Sequence, residues 1–291
     1  MEEPIRKRKK IKPMKYPVGI EYSYRKDLLA LSRSLKVSLK KHMSPIVPKM
    51  TAEVTNTLAH PAGQMVRQDA WVDDLRVALN RVARDMIDPT TKAAKDAVKY
   101  GPLTNKYNKE EWTKLIRSQY GVNPTKEDPA RFDELMKKWA RDNAALINDI
   151  PRKTIKQIAD ATTEALLSGK NQEDMTKEIF DIMTERTDVT DSRAKLIARD
   201  QVAKLNGNLT KQRQQDIGVS GYIWRTVGDE RVRETHDDVD GDYFDWDNPP
   251  SETDGNHPGE DYQCRCWAEP VLPEAVDFQA SLLDEEEMED A

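Results

Sequence analysis

Between Ser23 and Ile217, apolar residues recur at steps of three and four positions, the spacing that lines one face of an α-helix. The first stripe stops before Pro45, a residue that breaks a helix interior. Because later stripes follow the same spacing, this part of the chain is predicted to be helical. The first two stripes are Leu28, Leu31, Leu35, Leu39 and Met43, and then Trp71, Leu75, Ala78, Leu79, Val82 and Met86.

Residues that cap or interrupt helices predict several helix boundaries. Asn108 and Glu111 have the spacing of a capping box, so a helix is expected to begin there. Pro151 suits the first turn of another helix. Asn171 and Asp174 have the spacing to start a third. The glycines expected to end helices are Gly121, Gly169 and Gly218.

After Gly218 the period changes from about 3.6 to two residues, which is typical of a strand. The first strand is predicted around Tyr222 to Thr226 and a second around Cys266 to Val271. Tyr243 and Phe244 supply a third after the Asp240-Gly241 turn. The predicted fold is mainly α, with an elongated helical N-terminal region followed by a small, loop-rich α+β C-terminal unit.

These patterns divide the chain into five segments. Residues 1–20 form a basic disordered or extended arm, and residues 21–121 form the helical N-terminal region. A second helical part covers residues 122–218, and residues 219–273 form the small unit of strands and loops. An acidic tail occupies residues 274–291.

The net charge of -6 conceals two oppositely charged ends. The acidic tail is expected to be solvated. The cations of the arm can neutralise phosphates or an acidic partner surface, with no preference for a base sequence. The candidate nucleic-acid or partner contacts in the arm are Arg6, Lys7, Arg8, Lys9, Lys10 and Lys12.

Composition excludes several classes of protein. Hydrophobic residues make up 37% and charged residues 34% of the chain. No apolar run approaches the roughly 18 residues that cross a bilayer, and no apolar segment follows the basic start as in a secretory signal. We therefore expect a cytosolic protein without a membrane partner. Its two cysteines, separated by one residue, are better suited to paired thiol ligands than to a strained disulfide.

His236, His257, Cys264 and Cys266 have the number and type of donors for a four-coordinate structural zinc site. The spacing is not that of a standard zinc finger. Asp238 or Asp240 are alternatives to His257. Without a metal, the cysteines are small buried residues and His236 bonds Asp229 or Asp240.

Arg231 and Arg233 beside Asp229 predict an ion-pair lattice that holds the connection between the first strand and His236. A phosphate clamp is the alternative. Arg199, Asp200 and Asn206 are interpreted as half-buried polar residues that satisfy a neighbouring loop. The tryptophans expected to fill the small core are Trp224, Trp246 and Trp267.

The segment between Trp224 and Val271 holds both cysteines and two of the four histidines. It resembles the C-terminal signature of phage Mu F-like minor head (head morphogenesis) proteins. The ordered elements of this signature are Trp224, Asp229, Arg231-Val232-Arg233, His236, Asp240-Gly241, Pro249-Pro250, His257-Pro258 and Cys264-Arg265-Cys266. Further matching positions are Gly169, Ala198-Arg199-Asp200, Asn206 and Tyr222-Ile223-Trp224.

The resemblance covers about residues 148–273 and makes residues 122–218 the helical part of a head morphogenesis domain. Where many relatives carry Cys-x-x-Cys, this chain has Arg233 and His236, which puts a shared four-thiol site in doubt.

A minor head structural protein of a tailed phage is what this resemblance implies. Such a protein is assembled in the host cytoplasm and located in the virion, in the head interior or at the portal vertex. It binds the portal protein and acts in procapsid assembly, DNA packaging or genome retention and ejection. Major capsid protein, scaffolding protein and packaged double-stranded DNA, contacted through its backbone, are further candidate partners.

The alternative is a phage DNA-binding or metal-dependent nuclease-like effector that uses His236 and the surrounding acidic residues. The chain has no His-Glu-x-x-His, phosphate-binding Gly-rich loop or nucleophile elbow. If two histidines and two thiols all bound zinc, no coordination position would stay open for water. The chain is therefore expected not to be an enzyme.

Overall fold

The computed structural model describes residues 11–59, 70–121, 123–124 and 127–272. Lys12, the last cation of the predicted contact set, lies within this range and is exposed. The other members of that set, Arg6 to Lys10, and the acidic tail lie outside the described residues.

Long helices make up the part of the described chain that precedes Gly218. The last two helices have 38 and 45 residues and are longer than the capping signals predict. In chain order the helices are α1 Val18–Met43, α2 Val47–Ala59, α3 Ala70–Asp85, α4 Ile87–Ala97, α5 Tyr100–Tyr120, α6 Pro129–Leu166 and α7 Gln172–Asp216.

A small antiparallel sheet follows, with the strand order β2-β1-β3. Its strands are β1 Gly221–Arg225, β2 Tyr243–Asp245 and β3 Trp267–Pro270. Tyr222 on the central strand lies opposite Phe244 on one side and Pro270 on the other. A short helix, α8 Glu234–Asp237, and a 3-10 turn at Ser251–Thr253 lie in the connections. The predicted mainly α fold with a small α+β C-terminal part is confirmed.

The chain folds into two compact units, each built from separate stretches of sequence. Among the described residues, those within 22–99 and 140–198 form the helical unit, and those within 11–21, 100–139 and 199–272 form the mixed unit. The described helices α1, α6 and α7 contribute to both units. The five sequence segments remain a prediction about domain boundaries.

The helical unit is held by the apolar stripes that the sequence predicts. The first stripe is buried in α1, where Leu28 and Met43 are fully inaccessible to solvent. The second stripe is buried in α3 and at Met86, which directly follows α3. Two pairs of polar side chains within this core satisfy each other. Tyr24 donates a hydrogen bond to Asn143 over 2.6 Å, and the hydroxyls of Thr154 and Thr190 lie 2.8 Å apart.

In the mixed unit, a buried arginine joins α5 to the last turns of α7. Arg213 donates to the side-chain oxygen of Asn108 over 2.7 Å and to that of Asn105 over 2.6 Å. Its Nε donates to Glu127 over 3.0 Å, and its guanidinium stacks on Phe132. Each donor of this inaccessible cation faces a partner, so burial leaves no unpaired charge.

The C-terminal half of α7 also carries the sheet and its loops. The buried Gln214 amide donates to the carbonyl of Ala268 on β3 over 3.0 Å and accepts from the Trp246 indole over 3.2 Å. About two helical turns earlier on α7, Gly207 lies against Pro258 and Gly259. A Cβ at Gly207 would lie 3.0 Å from the Pro258 carbonyl oxygen, so glycine permits this close approach. α7 thereby positions the loop that carries the cysteines.

Two predicted helix boundaries are wrong. Asn108 lies inside α5, where its amide donates to the hydroxyl of Thr210 over 2.8 Å instead of capping a helix. Pro151 lies inside α6, which continues because buried residues on both sides of the proline keep packing. The cap at Asn171 is confirmed, since its side-chain oxygen accepts from the backbone N–H of Asp174 over 2.9 Å.

None of the helices in the described ranges has an apolar stretch long enough to span a bilayer.

Candidate metal centre

The sheet and the loops that connect its strands, residues 219–272, are called the C-terminal module here. The core of this module lies on the apolar face of β1. Tyr222 and Trp224 alternate with half-buried neighbours on this strand, and both are fully inaccessible to solvent. Val239, Trp246 and Ala268 complete the same cluster. Of the three predicted core tryptophans, Trp224 and Trp246 are buried there, whereas Trp267 on β3 is half-buried and lies outside this cluster. This small core is the platform on which the histidine and the cysteines lie.

His236 reaches the platform from α8, the short helix after the arginine-containing connection. Its backbone N–H donates to the carbonyl of Arg233 over 3.0 Å, which fixes the turn. The buried imidazole meets the Trp224 ring edge-on, with the centroids 5.2 Å apart. This contact holds the ring plane and so determines where the two imidazole nitrogens lie.

Cys264 and Cys266 are positioned by a tight turn before β3. The backbone N–H of Cys264 donates to the carbonyl of Asp261 over 3.1 Å, and Gln263 has a positive φ of 55°. Asp200 on α7 accepts from the N–H of Gln263 over 3.3 Å and thus ties the turn to the helix.

The turn directs backbone N–H groups at one sulfur. The Cys264 Sγ accepts from the N–H of Gly259 and from the N–H of Cys266, each over 3.4 Å. Donors arranged around a sulfur stabilise its thiolate form.

The three donor atoms meet in one cluster. The His236 Nδ1 lies 3.6 Å from the Cys264 Sγ and 3.4 Å from the Cys266 Sγ. All three donors lie within 4.8 Å of one another. A tetrahedral zinc ion with ordinary Zn–N and Zn–S bonds places such atoms about 3.5 Å apart. The spacing therefore fits a zinc ion, and it also fits direct S–H···N hydrogen bonds.

Electrostatics in the cluster favour one thiolate beside the imidazole. Interaction with Cys266, and further with His236 and the backbone N–H groups, lowers the pKa of Cys264 to about 5. The pKa of Cys266 is raised in turn because the neighbouring Cys264 sulfur carries the negative charge and the site is desolvated. Cys264 also raises the pKa of His236.

The indole N–H of Trp224 is a buried hydrogen-bond donor beside the cluster. The Trp224 Nε1–H is buried and has no hydrogen-bond partner among the described residues. Cys266 packs against the core cluster that contains Trp224, and Trp224 lowers the pKa of the Cys266 thiol. A Cys266 thiolate, as in a metal-bound form, is the acceptor that this N–H lacks.

The second nitrogen of His236 faces a carboxylate. Its Nε2 lies 3.3 Å from the Asp261 carboxylate, which also pairs with Arg233. Arg233 donates as well to the carbonyl of Tyr262. A carboxylate on the far side of an imidazole fixes its tautomer and raises its basicity as a ligand. Asp261 was not singled out from the sequence because it lies 25 residues beyond His236, with no local motif.

Asp229 forms the other ion-pair group. Its carboxylate accepts from Arg265 over 2.5 Å and from Arg231 over 3.2 Å. Arg265 is the main reason why the pKa of Asp229 lies below its usual range. The predicted lattice around Asp229 thus contains Arg231 but not Arg233, and Arg265 takes part although the sequence prediction omitted it.

The structure does not bring His257 into this cluster, so the proposed fourth ligand has to be corrected. His257 is buried, and its Nδ1 lies 2.8 Å from the hydroxyl of Tyr222. Asp240 is no replacement, because its carboxylate accepts from the backbone N–H of Thr226 over 2.8 Å. Gly241, with φ of 98°, donates to the carbonyl of Trp224 and makes the predicted turn. Among the described residues the cluster has three donors, and a tetrahedral ion keeps one open position.

Fold and site together define a mainly helical protein whose last described part is a small sheet module with a buried His-Cys-Cys cluster. Over residues 156–269 the chain matches the family model described as Phage Mu protein F like protein. The matched range contains all of α7, the sheet apart from Pro270, and all three donors of the cluster. The resemblance that the motifs indicate is confirmed.

An uncharacterized protein of Haemophilus influenzae is 30% identical to this chain over 248 residues. The match covers 83% of this chain and 54% of that relative, so the chain spans about half of the relative's length. No solved structure gives a significant match.

Proposed function

We propose that the protein is a minor head protein of a tailed phage that binds the portal protein at the portal vertex. It acts there in procapsid assembly, DNA packaging or genome retention and ejection. The observation that carries this proposal is the family match over residues 156–269. Major capsid or scaffolding protein and the packaged double-stranded DNA are further candidate partners.

Features of the described helices support such a role. The helical unit exposes large apolar side chains, among them Val37, Ile87 and Leu167, which are 68%, 61% and 70% exposed. Apolar side chains at the surface of amphipathic helices are suited to docking on a large partner.

Co-expression with the portal protein of the same phage tests the proposal. The full chain should co-elute with the portal ring in size-exclusion chromatography, and an unrelated ring-shaped oligomer should not retain it. Mass spectrometry of purified virions should detect the chain in few copies per head. Its absence from virions, together with no retention on the portal ring, would contradict the assignment.

A structural zinc ion held by His236, Cys264 and Cys266 is the second part of the proposal. The donor spacing, the orphaned Trp224 N–H and the carboxylate behind His236 support it. The metal would cross-link α8 to the turn before β3 and replace apolar burial that the loops lack.

Metal analysis of the purified full chain should find one zinc per molecule, and the double variant Cys264→Ser, Cys266→Ser should lose it. His257→Asn is the matched control, because the structure places this residue outside the cluster and zinc should be retained. A wild-type protein without zinc whose thermal stability is unchanged by a chelator would rule out the metal.

The three-donor geometry also revises the argument against catalysis. One position of a tetrahedral ion stays open, so the nuclease-like alternative is not excluded by a closed site. The nuclease-like alternative would use acidic residues as further metal ligands. Within the described residues, however, no Asp or Glu belongs to the donor group. Incubation with duplex DNA and Mg²⁺ or Mn²⁺ distinguishes the two functions. Cleavage that His236→Ala abolishes would favour the enzyme, and uncleaved DNA favours the structural role.

A further inference from the structure

Beside the donor cluster lies a cavity of about 320 Å³ that is lined by four arginines. Two of them, Arg231 and Arg265, share the carboxylate of Asp229. Arg233 pairs with Asp261. The fourth, Arg199, comes from α7. The four arginines thus line one space and come from three separate stretches of sequence.

Charges around this cavity do not balance. Two carboxylates, Asp229 and Asp261, pair with three of the four guanidinium groups. Asp200, the other carboxylate near the turn, pairs with Lys204 over 3.2 Å. Two thiolates bound to a divalent ion carry no net charge, because the ion's two positive charges cancel their two negative charges. With a divalent ion in the cluster, the lining therefore keeps about two unbalanced positive charges, and with a Cys264 thiolate beside a neutral His236 it keeps about one.

Arg199 is the arginine of this lining for which the described residues offer no side-chain partner. Within the described ranges its guanidinium forms no ion pair or hydrogen bond, although its backbone carbonyl accepts from Tyr16 over 3.3 Å. Glu21 lines an adjoining cavity of about 310 Å³ together with Arg199, without an ion pair to it. A half-buried, unpaired guanidinium is costly unless a ligand or water satisfies its fixed donors.

We propose that this arginine-lined cavity is a binding site for a phosphate oxyanion. Planar guanidinium groups match phosphate oxygens in paired hydrogen bonds, and several around one space hold a phosphate more firmly than a single cation. The side chains of Arg231 and Arg233 are 72% and 42% exposed, so the site is open at its rim. The same chemistry serves a backbone phosphate of DNA or a free phosphate. The proposal does not depend on a role at the portal.

Two substitutions test the site without disturbing the core. Arg199→Gln removes a guanidinium with no side-chain partner among the described residues. Arg231→Gln leaves Asp229 paired with Arg265. Arg117→Gln is the matched control, because Arg117 is an exposed arginine of the mixed unit that pairs with Asn123 alone among the described residues and does not line the cavity. Each variant is made in the full chain, so the basic arm contributes equally to all of them.

Binding is measured with inorganic phosphate by calorimetry and with a mixed-sequence DNA duplex by fluorescence anisotropy over a range of salt concentrations. Arg199→Gln and Arg231→Gln should each weaken phosphate binding about tenfold, and Arg117→Gln should not. If a DNA phosphate is the ligand, the same two variants also weaken duplex binding and reduce the salt slope by about one. If only phosphate binding falls, the site takes a free phosphate.

Three results would overturn the site. The first is no phosphate binding by the wild-type chain. The second is an equal loss in Arg117→Gln, which would show a general charge effect. The third is competition by an acidic peptide as effective as that by phosphate, which would show a site for a protein partner instead.

Discussion

His236 and Cys264 are each positioned by contacts that do not require a bound metal. The Trp224 edge and the Asp261 carboxylate fix His236, and two backbone N–H groups fix the Cys264 sulfur. Preorganisation of this kind lowers the entropic cost of bringing a metal to the site. Residue type alone identified His236, Cys264 and Cys266 as candidates. It misassigned His257, because its partner Tyr222 lies 35 positions earlier in the chain.

The buried imidazole of His257 makes the stability of the module dependent on pH. Burial lowers the pKa of His257, and the charge of Lys211 acts in the same direction. The unfolded chain, with an ordinary pKa of about 6.5, then binds a proton more readily than the folded chain. Stability is therefore full above about pH 6.5 and is lost as the pH falls toward the folded-state pKa.

Urea unfolding of the wild type and of His257→Asn at pH 7.5 and pH 5.5 checks this dependence. The free energy of unfolding should fall less with acidification in the variant. His236 is present in both proteins, so its contribution cancels in the comparison. An identical loss in both would mean that His257 is not the group responsible.

At the scale of helices and strands, periodicity predicted most of the fold. The stripes of α1 and α3 are buried where the pattern places them, and alternation at Tyr222 and Trp224 located the central strand. Errors arose where polar residues serve distant partners. Asn108 has the spacing of a cap, yet its amide is buried against α7, a contact 102 positions away that no local pattern can show.

The network around Arg213 leads to a prediction about α5 and α7. Arg213→Met leaves Glu127 without its buried partner and the side chains of Asn105 and Asn108 without a donor. Removing one member of a buried charged network costs about 3 to 5 kcal/mol, so the free energy of unfolding should fall by about that amount. Arg117→Met removes an exposed arginine from α5 and should cost less than about 1 kcal/mol.

Chemical unfolding of both variants measures the difference. Similar values for Arg213→Met and Arg117→Met would show that the buried network contributes no more than a surface contact.

Two kinds of interaction stabilise the described parts of the molecule. The helices of the helical unit bury continuous apolar stripes, whereas the described chain between Thr226 and Cys266 contains one short strand, one short helix and a 3-10 turn. Few backbone hydrogen bonds of regular structure hold this segment. Its order therefore depends on ion pairs, on the contact with α7 and on the His-Cys-Cys cluster.

This contrast predicts where the molecule loosens when the cluster is removed. In hydrogen exchange followed by mass spectrometry, the double variant Cys264→Ser, Cys266→Ser should lose protection in peptides from residues 226–266. Peptides from α1 and α3 should exchange at the wild-type rate, because their protection comes from apolar burial.

The wild type in chelator should match the variant if a metal joins the donors. If hydrogen bonds alone do so, chelator should have no effect and only the variant should loosen. Equal protection of residues 226–266 in all three samples would show that the ion pairs and the α7 contact suffice to order the module.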